Sequence, residues 1–388
     1  EGDASPTADA DEAAPAASGL ASAYALTSNG ALTPLGRELG EDYNDPRWSP
    51  LLDRLGQSEM ERFVLHGYSN SGALEGVSKP RTKDLDGSSQ AASFNQLRYG
   101  TGFPSPTVLA QTWDTQLARR YGRAVGMECA MLGIDGWYAP ACNLHRSPVG
   151  GRNYEYYSED PLVSGEMAAQ TILGSKETGT FCYLKHMVLN EQDSYRDSLY
   201  TWLTEQSLRE LYLEPFRIAV EEGGATGMMS SYNRIGAIWT GGSRALLTEV
   251  LRGEWGFRGS VITDYSDHHS YMNADEMLRA GGSLYMDGVF RDGSFRFGTD
   301  SPNFRACLRR ATKDVIYAWL NARAANLAYN DAALQAGTAT IDRPLKHRGV
   351  SPVLVGISVV DAVAALCVAV KAHRVLRRRA RKKGHAGE

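Results

Sequence analysis

From about residue 44 to about residue 329 the chain repeats one pattern. Short apolar runs flanked by glycine alternate with longer amphipathic stretches. The runs at 137–140, 180–184, 226–230, 260–263 and 283–286 have the length and side-chain character of buried strands. The stretches at 114–132, 166–178, 204–222 and 243–254 repeat apolar residues at helical spacing. In the third of these, Leu208, Leu211, Phe216 and Ala219 keep mostly to one face. Strands that alternate with helices of roughly 10–20 residues imply βαβ units and a parallel sheet. A run of about 290 residues is too long for one doubly wound half and fits a (β/α)8 TIM-like barrel with insertions.

The ends of the apolar runs carry the chemistry. The run at 260–263 stops on Asp264. The run at 180–184 stops on Lys185 and His186, with Arg196 further on, and the run at 226–230 is followed by Tyr232 and Asn233. After 137–140 comes a glycine-rich segment with Arg152. Barrel enzymes place their reactive groups at the C-terminal ends of the strands. Arg152, Lys185, His186, Arg196, Tyr232 and Asp264 are therefore expected on one rim. Any one of them alone could be packing or a surface ion pair. A carboxylate among two arginines, a lysine and a histidine is expected to keep a low pKa and stay ionised. Such a group, surrounded by hydrogen-bond donors, suits a nucleophile that attacks a hydroxyl-rich substrate.

Other chemistries find less support. Neither G-x-x-x-x-G-K-[ST] nor G-x-G-x-x-G follows a strand, so no nucleotide cofactor is expected. The pair His268–His269 lacks carboxylates at ligand spacing, reads as loop, and no metal is expected. Cys129, Cys142, Cys182, Cys307 and Cys367 are scattered and read as buried free thiols. The formal charge is -4, yet eight of the 41 basic residues fall between Lys371 and Lys383. The rest is clearly acidic, and no nucleic-acid partner is expected.

The two ends differ from the middle. Residues 1–30 are rich in Ala, Asp, Glu, Ser and Pro, with almost no large apolar residue before Leu20. They read as linker, with neither a basic n-region nor an apolar h-region of a signal peptide. At the other end, 352–370 is nearly all apolar, broken by Ser358 and Asp361, and a basic cluster follows. That combination predicts a membrane span with its basic flank in the cytoplasm. The expected organisation is a largely disordered linker over 1–43, a barrel over 44–345, a transmembrane helix over 350–371 and a basic tail over 372–388. The barrel would then sit outside the cell membrane on a single-pass anchor.

Four segments, GRNYEYYSEDP, YLKHMVLNEQDSYRD, MMSSYN and VITDY, resemble glycoside hydrolase family 3 in order and spacing. The resemblance covers about residues 45–330 and implies a barrel-type N-terminal domain. It implies that Asp264 is the nucleophile of a retaining β-glycosidase acting on a β-linked glucoside or oligosaccharide. Arg152, Lys185, His186 and Arg196 would hold the sugar, and Tyr232 would lie beside the nucleophile. Asp86, in Asp84-Leu85-Asp86-Gly87, resembles the family aspartate that binds hydroxyls across the ring. The family usually reads Asp-Gly-Pro there, whereas here Ser88 follows Gly87. The segment after Lys185–His186 lacks the glycine-rich, histidine-bearing loop of the family's N-acetylglucosaminidases, so the chain resembles the glucosidase branch. In that branch the acid/base glutamate sits on an α/β sandwich domain, which this chain is not expected to contain. It would be supplied upstream or by another chain. The alternative is a non-catalytic carbohydrate-binding barrel at the cell surface.

Overall fold

Residues 32–92, 100–266, 271–287, 297 and 300–335 are described by the computed structural model. All belong to the first of the two units into which the chain divides, which ends at Ile341. The helices are α1 (Pro34–Glu41), α2 (Trp48–Leu52), α3 (Gln57–Leu65), α4 (Pro106–Ala110), α5 (Thr115–Leu132), α6 (Pro161–Lys176), α7 (Glu205–Ser207), α8 (Glu214–Glu221), α9 (Ala274–Ala280) and α10 (Pro302–Gln335). The strands are β1 (Asp84–Leu85), β2 (Gly136–Trp137), β3 (Phe181–Met187), β4 (Tyr200–Thr201), β5 (Gly227–Ser230), β6 (Arg234–Ile235), β7 (Ile238–Trp239) and β8 (Ser260–Ile262).

One parallel sheet runs β1-β2-β3-β5-β8. Its neighbours follow chain order, which the short helical crossovers impose. Leu284 adds a parallel bridge to Ile262 beyond β8. The remaining gap is closed by segment 64–69. Tyr285 N donates to Val64 O at 2.8 Å, Gly67 N to Tyr285 O at 2.9 Å, and Asp84 N to Ser69 O at 2.9 Å. Among the described residues the ring thus has seven segments, and the expectation of eight barrel strands is corrected. The segment 64–69 is not a strand because the backbone turns there: Ser69 has φ +53°. A Cβ at Gly67 would meet the Leu284 side chain at 3.0 Å.

Alternate residues of the strands enter different cores. Phe181, Tyr183, Met229 and Ile262 point to a cluster that includes α3, α9 and α10. Cys182, Leu184, Met228 and Val261 point to a cluster built with α5, α6 and α8. This is the period-two alternation of a strand buried on both faces, and it explains why the sequence reads as continuous apolar runs. Strand β2 is short because Pro140 cannot donate to a ladder, and pairing resumes at Ala141 opposite Lys185.

Most helices begin and end where local chemistry dictates. Asp114 caps α5 by accepting from Leu117 N at 2.9 Å, and Gly133, φ +65°, stops it. Helix α6 starts earlier than its apolar pattern because Asp160 caps it and Pro161 fills the first turn. Helices α5 and α6 touch backbone to backbone. A Cβ at Gly122 would lie 2.0 Å from the Thr171 carbonyl oxygen, and one at Gly174 2.0 Å from that of Arg119. The stretch 204–222, expected as one helix, is α7, a π-helical turn over Leu208–Tyr212, and α8. Pro215 accounts for the break: it has no N–H to give, and its ring crowds the preceding turn. The stretch at 243–254 is likewise π-helical over Ala245–Glu254. Strands β4, β6 and β7 form a separate small sheet that periodicity did not predict.

Two boundary expectations change. Helix α1 falls inside the stretch read as linker, where Leu39 is fully buried. It packs on α10, with Asn321 Nδ2 donating to Gly40 O at 3.0 Å. The transmembrane helix is also corrected: among the described residues no helix is long and apolar enough to cross a membrane. The longest, α10, carries Arg305, Arg309, Arg310, Lys313, Asp314 and Arg323 and is a helix of the barrel wall. The expected span over 350–371, the basic tail 372–388 and His268–His269 lie outside the described residues. The fold class is therefore α/β with a parallel sheet. Cys129, Cys142 and Cys182 are buried free thiols, and Cys307 is half-buried.

Candidate active site

Because the main strands are parallel, their C-terminal ends share one rim. Asp86 directly follows β1. Arg152 precedes a 3-10 turn over Asn153–Glu155 in the long connection after β2. Lys185 and His186 lie in the last half of β3, and the peptide between them is cis. Arg196 opens the 3-10 turn Arg196–Ser198 beyond β3. Tyr232 lies just past β5, and Asp264 just past β8.

A continuous chain of charge contacts joins most of them. Lys185 Nζ donates to Asp86 Oδ1 at 2.7 Å and lies 3.8 Å from Glu155 Oε2. Glu155 is paired on its other oxygen with Arg152 Nε. Arg152 Nη2 lies 3.0 Å from His186 Nε2, and His186 Nε2 lies 3.7 Å from Asp264 Oδ2. Arg196 stacks over the ring of Tyr232 with its guanidinium carbon 4.4 Å from the centroid. Tyr271 closes this wall by donating from its hydroxyl to Tyr232 O at 2.8 Å. All seven residues expected at a site are thus gathered at the strand ends. Asp86 stands apart in one respect: its side chain is 60% exposed, whereas that of Lys185 is 4% exposed.

The contact between Arg152 and His186 fixes the state of the histidine. A guanidinium only donates, so His186 Nε2 must present its lone pair and the proton sits on Nδ1. Burial, joined by Arg152, Lys185 and Arg196, holds the His186 pKa well below its ordinary value, which agrees with a neutral ring. Asn143 fixes the backbone beneath it: its Nδ2 donates to His186 O at 3.0 Å, and its Oδ1 accepts from His186 N at 2.8 Å.

The carboxylates divide into two kinds. Desolvation works against ionised Asp86, but the Lys185 ammonium outweighs it and holds Asp86 below the usual carboxylate range. Burial likewise disfavours charged Lys185, and Asp86 and Glu155 more than offset it. Asp264 behaves differently. Burial raises its pKa above the ordinary carboxylate value, and Arg152, Arg196 and Lys185 only partly counteract that. The expectation of a low pKa at Asp264 is corrected, since counting nearby cations omits the cost of desolvating the carboxylate. Its Oδ1 accepts from Tyr265 N at 2.8 Å, while its buried Oδ2 has no hydrogen-bond partner among the described residues. A neutral His186 with its lone pair on Nε2 cannot supply one.

Sequence reasoning passed over Glu155, Asn143 and Tyr271 as site components. Glu155 had a legible signal, three residues after Arg152, where one turn brings the two together. Asn143 and Tyr271 had none, because their partners lie 43 and 39 residues away along the chain.

The arrangement offers a buried, electron-rich carboxylate oxygen flanked by cations and a neutral imidazole. It can receive a polar ligand with many hydroxyls. Residues 90–286 match the glycosyl hydrolase family 3 N-terminal domain, a span that contains six of the seven residues and leaves Asp86 just outside. Beta-glucosidase B of Emericella nidulans is 37% identical over 217 residues, which is 56% of this chain and 25% of that protein. A beta-glucosidase of Rhizobium radiobacter is 39% identical over 223 residues, 57% of this chain and 27% of the other. Among solved structures, beta-glucosidase 3B from Thermotoga neapolitana in complex with alpha-D-glucose superposes with a TM-score of 0.64 and 28% identity. The superposition covers 75% of this chain and 46% of that one. The chain thus spans about a quarter of the length of the curated relatives. With the match extending over half of its residues, the chain belongs to glycosyl hydrolase family 3.

Proposed function

We propose that this chain is the barrel part of a retaining β-glucosidase and that Asp264 is its nucleophile. The observation that carries the reading is the Asp264 Oδ2, without a hydrogen-bond partner among the described residues, beside neutral His186 and near Arg152, Lys185 and Arg196. The names of the relatives support glucosides as the substrate class. Asp86 and Lys185 would hold hydroxyls on the far side of the ring, and Arg152, His186 and Arg196 those nearer the reacting carbon.

In the first step an Asp264 oxygen forms a bond to C1 as the bond from C1 to the aglycone oxygen breaks. The aglycone oxygen takes a proton from an acid. In the second step water attacks C1, gives its proton to the same group, and releases glucose and the Asp264 carboxylate. The ion pair with Lys185 makes Asp86 a poor proton donor, and both oxygens of Glu155 are engaged by Arg152 and Lys185. The donor is instead assigned to a glutamate on the sandwich domain of the family's glucosidase branch. General acid catalysis contributes roughly 10²–10⁴-fold. Aryl glycosides with good leaving groups are therefore the substrates on which the barrel's own contribution is read most directly.

A 2-deoxy-2-fluoro-β-glucoside with a dinitrophenyl leaving group tests the assignment. The expected result is a covalent 2-fluoroglucosyl adduct on the peptide containing Asp264, lost in Asp264→Asn. The engagement of Asp86 and Glu155 also favours a second reading, a barrel that binds carbohydrate without cleaving it. Glucose binding without any labelling would select that reading.

A further inference from the structure

Arg196 is the sugar-binding candidate held least by its own strand. It lies in the connection between β3 and β4, and its own ion pair is a half-exposed contact with Asp193, 3.2 Å away. Something else must fix the segment that carries it. The small sheet supplies that support through Arg234, a residue two positions past Tyr232 in β6.

The guanidinium of Arg234 is sandwiched between two tyrosines. Its central carbon lies 4.7 Å from the ring centroid of Tyr200 and 4.3 Å from that of Tyr271. Its Nη1 donates to Asp197 O at 3.0 Å, and its backbone N donates to Leu199 O at 2.9 Å. One side chain therefore grips the residue after Arg196, the strand that follows, and the tyrosine whose hydroxyl braces Tyr232. Trp239 packs edge-on against Tyr271 from β7 and limits its movement. Two π faces and a carbonyl fit a planar guanidinium and do not fit an ammonium.

We infer that Arg234 is a positioning residue that clamps the 193–201 segment, and so sets Arg196 over Tyr232 at the entrance to the site. This rests on the glycosidase reading for its effect on the sugar, but the clamp itself is a statement about geometry. The described contacts of the Arg234 side chain are with Tyr200, Tyr271 and Asp197. Its effect must pass through Arg196.

The test uses the full-length protein carrying Arg234→Ala, Arg234→Lys, Arg196→Ala and the double alanine variant. Inactivation by the 2-fluoroglucoside is followed by mass spectrometry, and amide hydrogen exchange is followed over 193–201. In Arg234→Ala the concentration for half-maximal inactivation should rise about tenfold, the scale of two stacking contacts, with the limiting rate changed by less than about twofold. Arg234→Lys should recover little of that loss. In the Arg196→Ala background the same substitution should add almost nothing, because the two act as one unit. Exchange over 193–201 should accelerate in Arg234→Ala. Additive losses in the double variant, a fall confined to the limiting rate, or unchanged exchange would overturn the inference. If the wild type is not labelled at all, the glycosidase reading fails, and the exchange result alone decides whether Arg234 is the clamp.

Discussion

Asp264 shows how far a single residue can be read before its surroundings are known. Its position at the end of an apolar run, with Lys185, His186 and Tyr232 at the ends of others, marks a barrel rim, and the structure gathers these residues there. The sequence could count the cations around Asp264 but could not weigh them against desolvation, so the direction of its pKa shift was misjudged. Arg196 opposes that upward shift. Removing its charge therefore raises the pKa further. Arg196→Ala should move the acid limb of the 2-fluoroglucoside labelling rate to higher pH, because labelling needs the ionised carboxylate. It should also weaken binding by about tenfold, the scale of a hydrogen bond to a charged group. A pH series on both proteins checks this, and an acid limb that stays in place would count against Arg196 facing Asp264. Glu155 and Asn143 escaped the sequence reading for a different reason: neither ends a strand, and each matters only through the residue it holds.

At the scale of elements, legibility followed local chemistry. Helix α5 could be read because Asp114 starts it and Gly133 stops it. The parallel strands could be read because both faces are apolar. The broken helix at 204–222 could not, since its apolar stripe continues through Pro215. Strands β4, β6 and β7 are two residues each, too short to leave a periodicity. The contact between α5 and α6 gives a sharp prediction. Gly122→Ala adds a methyl where a carbonyl oxygen stands 2.0 Å away, and that oxygen belongs to helix backbone. The helices must separate, at a cost of about 1–3 kcal/mol in urea unfolding. Gly133→Ala is the comparison: its Cβ meets open space, and only the left-handed backbone, φ +65°, resists it. That change should cost about 1 kcal/mol.

Across the whole molecule, one buried carboxylate ties together parts that are far apart in sequence. Asp314 in α10 accepts from Tyr43 at 2.6 Å and Ser283 at 2.9 Å, and it pairs with Arg310 at 2.6 Å and Arg252 at 2.9 Å. Its side chain has no exposure. Asp314→Ala would strand the buried Arg252 guanidinium and should lower stability by about 3–5 kcal/mol in urea unfolding, with labelling of Asp264 per folded molecule unchanged. A loss well under that range would show that the residues around Arg252 can relax. The amphipathic alternation allowed a barrel to be foreseen, whereas this hub could not be, because its members are separated by up to 271 positions. The same contacts have a mechanical meaning. Helix α1 and the segment through Tyr43 are fastened to α10 by the Asn321 to Gly40 bond and the Tyr43 to Asp314 bond. Because position 40 lies beside 321 and position 43 beside 314, the two elements run antiparallel, and a pulling force applied between residues 32 and 335 meets that seam first and peels it open from that end, while the strand ends that carry Asp264 and its neighbours stay outside the load path until the seam parts.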